Sequence, residues 1–465
     1  MFSYIIKEKM LNKPFSFVAL NLFFFAADMV FLGGNYAFYL SVFFSVFIFI
    51  YNFRTFGIKE SIVLSIIYLL AFDSPSFCFF QYNFRFWYFY LLLIYFIAVF
   101  QAVNNKDEIL QKCKKNISLN VLIIIVFFIW SFLFFVIENK ISKLYNFKYW
   151  FFYVGLILIL NVFFKNNINK FKEISLYYIS ITFFVMVFGL LKTLNNIYSI
   201  PFNQISFFNI RPVAFYSETS WYSEFILFGL LFVFLLLKSK YKLNNFFYLV
   251  PFFLLGILFS FTRNSFLGFV LFLIISFVTD CFILKKRYIK PKNVKVILLT
   301  FSFILFVSLL LFFYLPNIFS IFILKLSAKD PSALGRIDAF KISIHNILNQ
   351  NFFGEGFYWN SGYSTVTGSA LGSKSFNLFL MIGNIFGIPG LILFLALIFL
   401  YLKKLMKSFF ITKSIYIQYS IIVIIVFLQM AMFAPIHQFP FGMLIVSLSY
   451  FLYKKGMYNY QTLLD

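Results

Sequence analysis

A chain of 465 residues that is 62% hydrophobic and 12% charged, with mean hydropathy +0.92, has more apolar surface than one soluble core can hide. Its net charge of +24 does not mark a nucleic-acid binder, because the basic residues sit in small clusters between apolar runs, where they meet anionic headgroups and fix orientation. Three cysteines without ligand spacing and only two histidines argue against a disulfide framework and a His-based zinc site, and no cofactor motif is present.

The first apolar run, 14–32, follows Lys7, Lys9 and Lys13 as in a signal sequence, but it is too long for a cleaved one and reads as an uncleaved first span. Further spans are predicted at 35–51, 61–79, 84–103, 118–137, 148–164, 174–191, 221–237, 246–261, 264–284, 295–315, 376–400, 415–434 and 439–453. That makes about fourteen helices of membrane-crossing length. The 61–79 run is interrupted by Asp73-Ser74-Pro75. The fold class expected is an all-α polytopic membrane protein. It divides into N-terminal helices (1–191), an external loop (192–220), central helices (221–315), a large external loop (316–375) and C-terminal helices (376–465).

Charge supports this parse. Of the 39 Lys+Arg, 27 fall in segments that alternation assigns to the cytoplasm, so both termini are expected there. Four of the six arginines break the trend by falling outside: Arg85, Arg211, Arg263 and Arg336. Lysine suffices for orientation, whereas arginine carries a rigid fork of donors that grips phosphate in a bidentate way.

The two longest outer segments are also the most polar. In 316–375, Asp330-Pro331-Ser332 opens a helix. Leu334, Ile337, Phe340, Ile344, Ile347 and Leu348 then recur at helical spacing, predicting an amphipathic helix at the outer boundary or over a cavity. Arg336 and Ser343 flank one edge of that stripe, Asp338 and His345 the other. In 192–220, Arg211 precedes Glu218, and Trp221 and Glu224 follow at the mouth of the next span. A carboxylate there gains from the positive end of the helix dipole and from nearby arginine. It reads as a general base or, the commoner fate, as a capping acid beside an interfacial aromatic belt, and Arg263 as a phosphate ligand or a snorkelling residue.

Four local patterns resemble the Wzy-type O-antigen polymerases and the related O-antigen ligases. They are Arg211 with Glu218-Thr-Ser-Trp221, Ser260-Phe-Thr262-Arg263, Arg336 through Gly354-Glu-Gly356-Phe357, and Asn377-Leu-Phe-Leu380 with Gly383, Gly387 and Gly390. They span roughly 210–400.

The resemblance implies a metal-independent glycosyltransferase of GT-C-like architecture in the bacterial inner membrane. It would act on polyprenyl-diphosphate-linked glycan donor and acceptor at the outer face, with membrane lipid around it and a chain-length regulator as a candidate partner. Carried over by position, Arg211, Arg263 and Arg336 bind the diphosphates and steady the departing one. Glu218 deprotonates or orients the acceptor hydroxyl, and Trp221 and Asn377 contribute to substrate binding. In ligases a His important for transfer precedes the Asn of the fourth pattern. Phe376 stands there in this chain, which favours polymerase over ligase. A lipid-linked oligosaccharide flippase is the rival from another class. It calls for ionisable residues along midplane helices, where Asp28 and Glu224 are the deep candidates.

Overall fold

A computed structural model of the protein describes residues 57–71, 76–79, 82–85, 87–104, 141–198, 219–239, 248–260, 262–284, 331–349, 377–433 and 440–464, with isolated positions within 46–53 and at 302, 306, 352 and 354. Among these residues the chain is helical apart from one hairpin. In order come α1 (Ile58–Leu70), β1 (Ser76–Phe79), β2 (Tyr82–Arg85), α2 (Trp87–Asn104), α3 (Ile141–Asn166), α4 (Phe171–Tyr198), α5 (Thr219–Lys238), α6 (Leu249–Phe259), α7 (Arg263–Val278), α8 (Pro331–Asn349), α9 (Leu378–Thr412), α10 (Ile415–Phe433) and α11 (Pro440–Leu464). The expected spans 14–32, 118–137 and 295–315, and nearly all of 35–51, lie outside the described residues.

Three boundaries differ most from the sequence expectation. The span drawn at 61–79 stops at Leu70, because Pro75 follows closely and cannot donate to a helical ladder. The aromatic, β-favouring residues beyond it form the antiparallel pair β1–β2, with Ser76 opposite Arg85 and Cys78 opposite Asn83. Arg85, drawn inside a span start, is therefore a strand residue.

The second difference is α9, which runs 35 residues from Leu378 to Thr412 and carries Lys403, Lys404 and Lys407 on a helix instead of a loop. Lys, Leu and Met are good helix formers, so nothing stops the helix until Lys413 takes a left-handed cap at φ 49°. In the same way α11 starts with Pro440 at its first position and continues to Leu464, past the end expected at 453.

Among the described residues four segments are long and apolar enough to cross a membrane: Trp221–Lys238, Arg263–Cys281, Leu378–Thr412 and Ile415–Met432. Shorter apolar segments occur at Tyr88–Ile97, Val154–Asn166 and Leu249–Phe259. The central element is α5, whose apolar window is 83% buried against 22% for that of α9. α4, α6, α7 and α10 all pack on α5; α10 also packs on α9 and α11, and α11 leads on to α3, α1 and α2. At the periphery α7 exposes Phe266, Leu267, Ile274 and Phe277, and α9 exposes Ile392 and Phe399. An apolar ridge of this kind is stable facing lipid and not water.

Close approach and polar cross-links hold the helices, since lipid tails remove the hydrophobic drive between them. Gly229 of α5 lies so close to Thr182 of α4 that an added Cβ would overlap its side chain. Ser420 of α10 and Ser449 of α11 donate to each other's carbonyls at 2.7 and 3.1 Å, and Tyr401 of α9 hydrogen-bonds with Ser449 at 3.2 Å.

Candidate functional site

The connection between α6 and α7 is heavily cross-linked to α5 and α10. Thr262, in extended conformation, precedes α7, and Arg263 is the first helical residue. The Thr262 hydroxyl does not cap the helix. It hydrogen-bonds instead with Ser223 of α5 at 2.8 Å and with Ser260, whose own hydroxyl donates to the Ile257 carbonyl. Ser223 also meets Ser265 of α7 at 2.6 Å.

Asn264 uses its whole amide. Its Nδ2 donates to Glu224 Oε1 at 2.9 Å and to the Met430 carbonyl at 3.2 Å, while its Oδ1 accepts from Gln429 Nε2 at 2.6 Å. Glu224 and Ser265 are fully buried and Asn264 nearly so, but Arg263 between them is only half-buried. Thus α5 and α10 grip the residues on both sides of Arg263.

A second polar cluster joins the same helices at their other ends. Lys238 Nζ of α5 pairs with Asp280 Oδ2 at 2.7 Å and donates to Ser276 at 2.7 Å. Gln418 Nε2 of α10 donates to Asp280 Oδ1 at 2.9 Å and to Thr279. Asp280 lies in a turn of π-helix, Thr279–Ile283, that closes α7. The clusters show that α5 and α7 run parallel and α10 antiparallel, as alternation of the expected spans requires.

Beyond this group, α8 packs on α9. Its apolar stripe is divided: Ile337, Phe340 and Leu348 are exposed, Ile344 and Ile347 are partly buried, and Ser343 is buried. Ile347 faces Gly383, where an added Cβ would come within 2.7 Å of its Cδ1. Arg336, two turns before Ser343 and half-buried, lies on the same face as Ser343 and Ile347.

α9 is broken at Gly387 (φ 68°, ψ −169°), and Gly354 (φ 85°) crosses at the break so closely that a Cβ there would overlap the Gly387 nitrogen. The Ile388 N–H freed by the break donates to the Phe352 carbonyl at 3.2 Å. Asn377 caps α9, its Oδ1 accepting from Phe379 N at 2.8 Å and Leu380 N at 3.1 Å. That oxygen is committed to the helix.

Arg263, Arg336, Trp221 and Asn377 are thus placed on α7, α8, α5 and the start of α9. Trp221 is 7% exposed, in the first turn of α5. Its neighbour Tyr222 donates to the Met186 carbonyl of α4 at 2.9 Å. Arg211 and Glu218 lie outside the described residues, as do Asp28 and His437. His345 is exposed and hydrogen-bonds with Asn349 on the same helix. Among the described residues no three His, Cys, Asp or Glu side chains come together as a metal site.

Sequence reasoning did not single out Ser223, Asn264, Ser265 or Gln429. A signal existed for one of them. Gln429 is an amide within an otherwise apolar run, and such residues in a membrane helix face a partner.

Residues 247–395 match the family model described as O-antigen ligase. No curated protein and no solved structure matches the chain. The matched stretch contains Arg263, Arg336, Asn377 and the break at Gly387, and it excludes Arg211, Glu218 and Trp221. Over this stretch, about a third of the chain and on helices apolar enough to cross a membrane, the protein is similar to the O-antigen ligase family.

Proposed function

We propose that the protein polymerises lipid-linked oligosaccharide repeat units into a surface polysaccharide, at the outer face of the bacterial inner membrane and with both termini in the cytoplasm. The acceptor hydroxyl attacks the anomeric carbon of the donor glycan. The bond from that carbon to the polyprenyl diphosphate breaks, its electron pair leaves on the diphosphate, and the hydroxyl proton passes to a base, for which Glu218 is the candidate. Arg211, Arg263 and Arg336 bind the diphosphates, and their charge stabilises the leaving group without a metal.

The observation that carries this reading is Arg263. It begins α7 inside the family-matched stretch, where the N-terminal backbone N–H groups and the dipole of the helix add to its own charge. The residues on either side of it are hydrogen-bonded to neighbouring helices. Phe376, in place of the His that resemblance to ligases calls for, favours polymerase.

Deletion of the gene is expected to leave one repeat unit per acceptor on gels of surface glycan. Arg263→Ala or Arg336→Ala at normal protein level should reproduce that pattern, and Arg263→Lys should impair chain growth because a point charge cannot replace the fork. Activity should survive chelation by EDTA. Full-length chains from all the arginine variants would sink this assignment. The description of the matched family favours a second reading, transfer of finished glycan to lipid A core. Under it, deletion would remove attached glycan completely.

A further inference from the structure

We propose that Glu224 and Ser223 are positioning residues for Arg263, acting through Asn264 and Thr262. The inference rests on the reading of Arg263 as a diphosphate ligand. Glu224 is fully buried among apolar helices, a costly place for a carboxyl group that only tightens packing, since an apolar side chain of similar volume would be neutral or better there.

What the carboxyl does is specific. Its Oε1 takes one of the two Asn264 amide protons, and the Met430 carbonyl takes the other. Gln429 saturates the Asn264 oxygen from α10. Asn264 can then neither rotate nor flip without losing three hydrogen bonds. On the other side of Arg263, the adjacent residue Ser223 fixes Thr262 and Ser265.

Two consecutive residues of α5 therefore hold Thr262, Asn264 and Ser265, and so fix the backbone on both sides of Arg263. An arginine fork is useful against diphosphate when its backbone origin is fixed, because the donors must meet two oxygens together. The cluster at the other end of the same helices, built on an ion pair, supplies rigidity without touching this turn.

The test uses the full-length protein in detergent and lipid-linked repeat units extracted from the deletion strain. Glu224→Ala and Asn264→Ala should each raise KM for these units about 10- to 100-fold, the range expected when a reacting group loses its position. In an Arg263→Lys background, which lacks the fork but keeps enough activity for a KM, they should add nothing. Glu224→Gln, which keeps an oxygen toward Asn264, should restore KM to within about threefold of the unmodified protein, since that hydrogen bond is retained.

Multiplicative effects with Arg263→Lys overturn the proposal and leave the arginine assignment standing. An unimpaired Arg263→Ala protein sinks the assignment itself, and with it the proposal. A merely structural role would lower Tm and active fraction without moving KM, which is equally fatal. If Glu224→Ala does not accumulate, Gln429→Leu loosens Asn264 from the α10 side and is held to the same KM criterion.

Discussion

Gly387 and Gly354 show how much single residues decide in this protein. Both occupy positive φ, and Gly387 combines it with a ψ that only glycine adopts readily. Gly387→Ala should cost about 1–3 kcal/mol from backbone strain alone. Gly354→Ala should cost more, because its Cβ would also meet the Ile385 carbonyl oxygen at 2.7 Å. Thermal unfolding in detergent should rank Gly354→Ala below Gly387→Ala, and both below a control such as Leu400→Ala on the exposed face of α9. The glycine spacing 383, 387, 390 was legible in the sequence as a family-like pattern. The break was not, because glycine permits positive φ without requiring it.

At the scale of elements, the α5–α7–α10 group depends on polar bonds placed inside apolar helices. Asp280→Ala leaves Lys238 without its carboxylate in a low-dielectric setting. Because the lysine side chain is 26% exposed, the cost should be on the order of 1–3 kcal/mol, less than for a fully buried pair. The double variant Lys238→Met with Asp280→Leu should recover part of that loss. A measured Tm for the double variant no higher than for Asp280→Ala would show that the pair stabilises by more than mutual neutralisation.

The amphipathic helix 331–349 was readable from its periodicity, start included. Its orientation follows from its setting. Ile337, Phe340 and Leu348 of the apolar stripe face outward, where lipid would lie, while Ile347 and the buried Ser343 lie toward α9. The span drawn at 61–79 failed for a local reason that was also on the page, the Asp73-Ser74-Pro75 interruption, after which the chain pairs as strands.

For the whole molecule, the parallel and antiparallel directions of α5, α7 and α10 agree with the alternation of spans drawn from the apolar runs and supported by loop charge. In a background with Cys78, Cys113 and Cys281 replaced by Ser, a cysteine at Ser361 should react with an impermeant maleimide applied from outside intact spheroplasts. One at Lys407 should react only after permeabilisation. The opposite pattern would invert the topology and remove Arg263 from the outer face.

The sequence by itself determined the membrane class and the charge asymmetry, and it led to the expected spans and the expected outer placement of three candidate arginines. All of these depend on local or summed quantities: run length, hydropathy and counts of lysine. Only the tertiary structure decided which side chains stand beside Arg263. A soluble helix advertises its inner face by amphipathicity, but α7 and α10 are apolar on every side because lipid and protein interior are equally hospitable to their surfaces. Their rotation about their own axes is therefore not written in the hydrophobic pattern. It is set where helices meet, by a few buried amides, hydroxyls and carboxylates that must find partners, and Asn264 is the point at which three of those helices agree.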